Sequence, residues 1–148
     1  MIALLISVPS NDTQTLKINQ SLFICKPYGI VSIEELYNNT ATNETCKRVI
    51  EKFYRKNPLL QYYTSERLDK QQLYHIELKE NRCILYAQGQ KTLSELLLRQ
   101  GLAFMRPFFE DSEFYHLFIK AQRNAKNENL GIWSDQGIIE CMAEVYKE

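Results

Sequence analysis

The chain has 148 residues, 45% hydrophobic and 24% charged, which fits one globular domain with a sizeable core and excludes a disordered tract. Lysine plus arginine equals aspartate plus glutamate at 18 each, so the fold has no global field to attract nucleic acid, a role that normally calls for a basic excess. No stretch approaches the roughly 20 apolar residues that span a bilayer, so no membrane span is expected.

Met1 to Ile6 is apolar but short. It lacks a basic leader and a small-residue cleavage site, and it reads as the first strand. Strands are predicted over 2–8 and 13–18 around the turn-prone Pro9 to Asp12, with a third over 21–25. Pro27 and Gly29 then interrupt the pattern. After the polar stretch 37–43, Cys46, Val49, Ile50 and Phe53 recur at helical spacing, with Asn43 as cap and Pro58 as stop. The outer face of this helix carries Lys47, Arg48, Lys52, Arg55 and Lys56 and reads as solvated, with Glu44 and Glu51 offsetting it.

Residues 60–64 and 72–79 read as strands. Residues 83–87 are predicted to pair with the latter through a turn at Glu80-Asn81-Arg82. Thr92 to Glu95 matches a capping box, and the helix it opens runs to Gly101. Asp111 or Ser112 caps a third helix with a stripe of Phe114, Leu117, Phe118, Ala121 and Ala125, ending near Gly131. From Gln136 to Glu148, Ile138, Ile139, Met142 and Val145 have helical spacing. Domain organisation is therefore one domain over 1–134 and a C-terminal amphipathic helix over 135–148.

Four cysteines (Cys25, Cys46, Cys83, Cys141) form no C-x-x-C pair, and there are two histidines, so a zinc site is not expected. The even count permits disulfides in an oxidising compartment, and buried thiols in a cytosolic protein fit equally; the pairing stays open. The reading leans towards an exported protein whose signal lies upstream.

Two segments carry a resemblance. Leu93 to Ala103 reads L-S-E-L-L-L-R-Q-G-L-A, and Ala121 to Ser134 reads A-Q-R-N-A-K-N-E-N-L-G-I-W-S. In order and spacing they resemble L-N-E-x-L-V-R-x-G-L-A and A-Q-x-x-A-K-x-x-x-x-G-I-W-S of the staphylococcal-nuclease-like (thermonuclease-like) family. The firm match covers residues 92–134. The resemblance implies an α+β fold, an OB-type five-stranded β-barrel with three helices, to which the C-terminal helix is added. It also implies calcium-dependent phosphodiester hydrolysis. Carboxylates hold the hard cation, a glutamate activates water, and two arginines meet the charge that builds on the phosphate.

Carried over residue by residue, that chemistry is incomplete here. Asp12 in Ser10 to Thr13 matches the first metal ligand of a D-G-D-T turn. In Lys26 to Glu34, Glu34 falls in the glutamate slot, Lys26 replaces an arginine, and Val31 replaces the second metal-binding aspartate. Valine offers no oxygen, and lysine lacks the bidentate fork of arginine. The second arginine slot falls on Leu73, or, with a shifted register, on Arg82, which otherwise reads as a solvated turn residue. His75 and His116 lack a nucleophile or carboxylate partner in sequence.

Residues that act as a unit fail together. The leading expectation is thus a non-catalytic protein-interaction module with no cofactor, whose C-terminal stripe lies on the body of the domain or docks into a neighbour. One alternative is a calcium-dependent nuclease using Asp12, Glu34, Lys26 and Arg82. Another is a non-cutting nucleic-acid binder using Tyr62, Tyr63 and Tyr74 with Arg67 and Lys70.

Overall fold

The computed structural model describes residues 1–146. Strands β1 (Ile2–Ser10), β2 (Thr13–Ile18) and β3 (Ser21–Cys25) form a meander. Side-chain alternation sets its faces: Ala3, Leu5, Leu16 and Cys25 are fully buried, with Leu5 opposite Leu16. The short β4 (Ile30–Ser32) leads directly into α1 (Ile33–Asn38). Next comes α2 (Glu44–Lys56), capped by the Asn43 side chain on the Cys46 amide, with Cys46, Ile50 and Phe53 buried as the spacing predicts.

Residues 60–64 are not a strand. Pro58–Tyr62 forms a 3-10 turn that continues into α3 (Tyr63–Arg67). The cause is tertiary: the Asn11 side chain donates to the Leu60 carbonyl at 2.8 Å and accepts from the Thr64 amide at 2.9 Å. The Thr64 hydroxyl donates to the Asn11 carbonyl at 2.9 Å. These bonds fix a local winding that the β-prone Tyr62-Tyr63 pair would not choose alone.

Strands β5 (Leu73–Lys79) and β6 (Arg82–Gln88) form the expected hairpin. Glu80 and Asn81 both have positive φ, 51° and 61°, as a two-residue turn matched to strand twist requires. The two-residue β7 (Lys91–Thr92) precedes α4 (Leu93–Arg99), where the Thr92 hydroxyl caps the Glu95 amide. Arg99 pairs with Glu128. After β8 (Ala103–Met105), α5 (Tyr115–Asn127) starts just beyond a turn whose amides at Glu113 and Phe114 are held by the Asp111 carboxylate. A 3-10 turn (Gly131–Ser134) then leads to α6 (Gln136–Val145).

The sheet order is β3-β2-β1-β5-β6-β7, and β4 pairs separately with β8. The five long strands are those of an OB-type barrel. The sheet curls until β3 meets β6, and the contact is a short bridge rather than a full strand pair. The Cys83 amide donates to the Lys26 carbonyl at 2.9 Å, and the Tyr28 amide to the Cys83 carbonyl at 3.1 Å. A Cys25–Cys83 disulfide pins the same point. A second disulfide, Cys46–Cys141, ties α6 to α2. The stripe of α6 is therefore spent on the domain itself: Ile138 is fully buried and Cys141 nearly so. Of the two placements expected for this stripe, the one observed is on the body of the domain. Among the described residues, no helix is long and apolar enough to cross a membrane.

The two segments singled out in the sequence end on glycines that touch. Gly101 and Gly131 have φ of +71° and +53°. The Gly131-Ile132 turn rests on Gly101 through an Ile132 amide bond to the Gly101 carbonyl at 2.8 Å. A Cβ on Gly101 would stand 2.1 Å from the Leu130 carbonyl oxygen, whereas one on Gly89, also at positive φ, would meet nothing within 4 Å. Gly101→Ala is thus expected to cost about 2 kcal/mol in urea unfolding, and Gly89→Ala about half of that. Equal costs would mean that the backbone approach is unimportant.

Candidate functional site

Three junctions converge on one cleft. The β1–β2 turn brings Asp12, the β4–α1 junction brings Ser32, Glu34 and Glu35, and the exit of β3 brings Lys26. Together with Ser10, Thr13, Asn38 and Asn39, the carboxylates and Lys26 line a cavity of about 300 Å³. Arg82, at the start of β6, and Arg106, just after β8, approach it through Glu35.

Asp12 is only 5% exposed, and it stays buried because hydroxyls surround it. Its Oδ1 accepts from Ser10 Oγ at 2.7 Å and Thr13 Oγ1 at 3.0 Å, and its Oδ2 accepts from Ser32 Oγ at 2.7 Å. Ser32 does double duty, since the same oxygen accepts from the Glu35 amide at 2.9 Å and caps α1.

Glu34 lies half-buried beside it. Tyr54 donates its hydroxyl to Glu34 Oε2 at 2.5 Å, while Oε1 is buried with no partner. Burial pushes the Glu34 carboxyl up to about 7; the nearby Asp12 charge adds to the rise and the Tyr54 hydrogen bond opposes it. The Tyr54 phenol is itself pushed up, first by burial and then by the Glu34 charge.

Glu35 sits between two guanidinium groups. Arg82 Nη2 is 3.0 Å from Oε1, and Arg106 Nη2 is 2.8 Å from both carboxylate oxygens and 2.9 Å from the Ile30 carbonyl. Arg82 is therefore a partly buried, ion-paired residue and not a solvated turn residue. The cleft's two arginines share one carboxylate, Glu35.

Val31, in the slot where the resemblance puts an aspartate, is fully buried in β4 opposite Phe104 and lends no oxygen. Among the described residues, no group of three or more histidine, cysteine, aspartate or glutamate side chains is arranged to hold a metal ion. The proposed aromatic platform is not assembled. Tyr63 is buried under the Arg67 guanidinium, 5.0 Å from its ring, and the Tyr74 hydroxyl accepts from the Asp69 amide. Of the three tyrosines only Tyr62, 58% exposed, presents its ring. His75 is exposed on β5, and its only charged neighbour among the described residues is Glu77 at 3.8 Å.

The structure thus brings Asp12, Glu34 and Lys26 into one cleft and attaches Arg82 to its wall. Sequence reasoning missed Ser32, Glu35, Tyr54 and Arg106. Ser32-Ile33-Glu34-Glu35 is a capping-box pattern that announces α1 and the position of both glutamates. Arg106 and Tyr54 have no local signature.

A curled OB-type sheet whose β1–β2 turn and β4–α1 junction face each other across an acidic and basic cleft defines a nuclease-like domain as a class. Residues 11–135 match the family model of the staphylococcal nuclease homologue, and the chain belongs to that family. No curated protein matches it.

Proposed function

We propose that this chain is a thermonuclease-like domain that does not cut phosphodiesters and acts as a protein-interaction module in an oxidising compartment. The observation that carries the proposal is the pair Val31 and Asp12: a fully buried valine stands where the resemblance puts the second carboxylate ligand, and three hydroxyls of the fold already take three of the roughly four acceptor sites of Asp12. Calcium requires six to eight oxygen ligands, with carboxylates prominent among them. The Val31 side chain supplies none, and Asp12 keeps only about one acceptor site open, so the donor set is short of what the ion calls for. Glu35 adds to the case by drawing one nitrogen of each guanidinium to itself, a bond that a phosphate would have to compete with.

The interaction reading draws on the outer face of the sheet. Ile2, Leu22, Ile24 and Leu73 are 55%, 62%, 63% and 66% exposed on strands β1, β3 and β5. Clustered exposed aliphatics are a mark of contact surfaces. Two disulfides suit an oxidising environment and would not persist in a reducing one.

A second reading, a calcium-dependent nuclease with an altered site, has one observation in its favour: Asp12, Glu34 and Lys26 line the same cavity. Digestion of single-stranded DNA and RNA with and without calcium decides between them. The expected result is no calcium-dependent cleavage, with Asp12→Ala indistinguishable from wild type. Cleavage that calcium stimulates and Asp12→Ala abolishes would establish the second reading.

A further inference from the structure

A groove of about 510 Å³ runs between α1 and α2, ends against the 3-10 turn at Pro58, and shares Glu34 and Asn38 with the candidate cleft. Its base includes Ile33 and Ile50, which are buried, and its walls include the partly buried Tyr37 and Tyr54. Each tyrosine is committed to a carboxylate: Tyr37 donates to Glu51 Oε1 at 2.9 Å, and Tyr54 donates to Glu34 Oε2 at 2.5 Å. A phenol has one hydrogen to give. Both donors are spent, so these four side chains can offer a ligand only acceptors.

The acceptors are also undersupplied. Glu34 Oε1 is buried without any donor, an arrangement that costs stability until a donor arrives. Asn38, Gln61 and Arg55 bring N–H donors to the rim, but at the two carboxylates a matching ligand brings N–H groups, with a hydrocarbon or aromatic body against the isoleucines and rings. Positive charge improves the match twice, through the carboxylates and through the electron-rich ring faces. The Tyr37 ring already attracts a cation, with Lys47 Nζ 5.7 Å from its centroid. Arg55 is the one cationic residue that lines the groove; it is exposed and forms no ion pair among the described residues.

We infer that this groove binds an organic cation, an ammonium or guanidinium group carried on an apolar body, with Glu34 and Glu51 receiving the charged head. Glu34 is common to this groove and the candidate cleft, but binding to the groove is read alone and is independent of phosphodiester cleavage. Two sources share this chemistry: a basic side chain of a partner protein, and a free amine or guanidine.

Three probes of one shape and different charge test it: benzamidine, benzamide and benzoate, titrated into the full chain at pH 8 and followed by amide chemical shifts. Benzamidine is expected to bind about tenfold or more tighter than benzamide, with benzoate weakest. The perturbed amides should cluster in residues 33–38 and 50–61. Glu51→Gln, at an exposed position, should weaken benzamidine severalfold and leave benzamide unchanged, while Arg55→Ala should strengthen benzamidine. Glu34→Gln should bring benzamidine down to the level of benzamide, with thermal melting as the check on its fold.

Equal affinity for benzamidine and benzamide, preference for benzoate, or indifference of benzamidine to both glutamine variants would each overturn the inference. Agmatine and a blocked arginine tripeptide then separate the sources. Binding of the tripeptide assigns the site to a protein side chain, and binding of agmatine alone assigns it to a small free cation.

Discussion

Replacing Cys46 and Cys141 together by serine is expected to lower the unfolding free energy by about 4 to 5 kcal/mol, and replacing Cys25 and Cys83 by about 4 kcal/mol. The bridges close loops of 95 and 58 residues, long enough for each to restrict the unfolded chain strongly. Both losses together rival the whole 5–15 kcal/mol margin of an ordinary domain. Urea unfolding with and without a thiol-free reductant should therefore find the reduced chain largely unfolded near 37 °C. The two losses should also differ in place. α6 has ten residues, too few for a helix to persist alone, so without the Cys46–Cys141 bond its amides should exchange fast while the sheet stays protected. The Cys25–Cys83 bond lies between Lys26 and Arg82 in the barrel bridge, and its loss should disturb the candidate cleft first. A reduced protein with an unchanged urea midpoint would refute this account.

Most of the sheet was legible because its strands alternate. Leu5 and Leu16 face the core, and Tyr74 to Leu78 alternates across β5, so periodicity alone located the meander and the hairpin. α2 and α4 were legible from their caps, Asn43 and Thr92, because a cap is a local hydrogen bond that the sequence spells out. What failed was decided over distance. The segment Leu60 to Thr64 has strand-like residues, yet it winds because Asn11 reaches it from the first turn. The cysteine pairing was unreadable because four cysteines allow three pairings, and only the fold sets Cys25 beside Cys83.

The candidate site divides in the same way. Asp12 and Glu34 were found because each lies in a turn or helix start that resembles a family motif. Glu35 was passed over because its significance comes from Arg106, 71 residues away. Arg82 was read as solvated because nothing in its neighbours announces an acid approaching from α1.

Glu34→Gln is expected to stabilise the protein at pH 8 by up to roughly 3 kcal/mol and to have little effect at pH 4.5. The sign follows from the proton. In the unfolded chain this carboxyl titrates at its ordinary value of 4.5, and in the fold burial pushes it up to about 7. Between those values the folded state holds a proton that the unfolded state has released. Wild-type stability should therefore fall as pH rises from about 4.5 to about 7 and level off above, where Glu34 is a half-buried anion in both wild type and any variant that keeps it. Glutamine removes the charge and keeps an oxygen to accept from Tyr54, so its stability should lack that descent. Tyr54→Phe makes the complementary test. It deletes the hydrogen bond that opposes the rise, so the descent should extend to higher pH and the loss at pH 8 should deepen. Chemical denaturation of the three proteins from pH 4.5 to 8.5 reads both effects, and a glutamine variant less stable than wild type at pH 8 would show that the ionised carboxylate is matched by partners other than Tyr54.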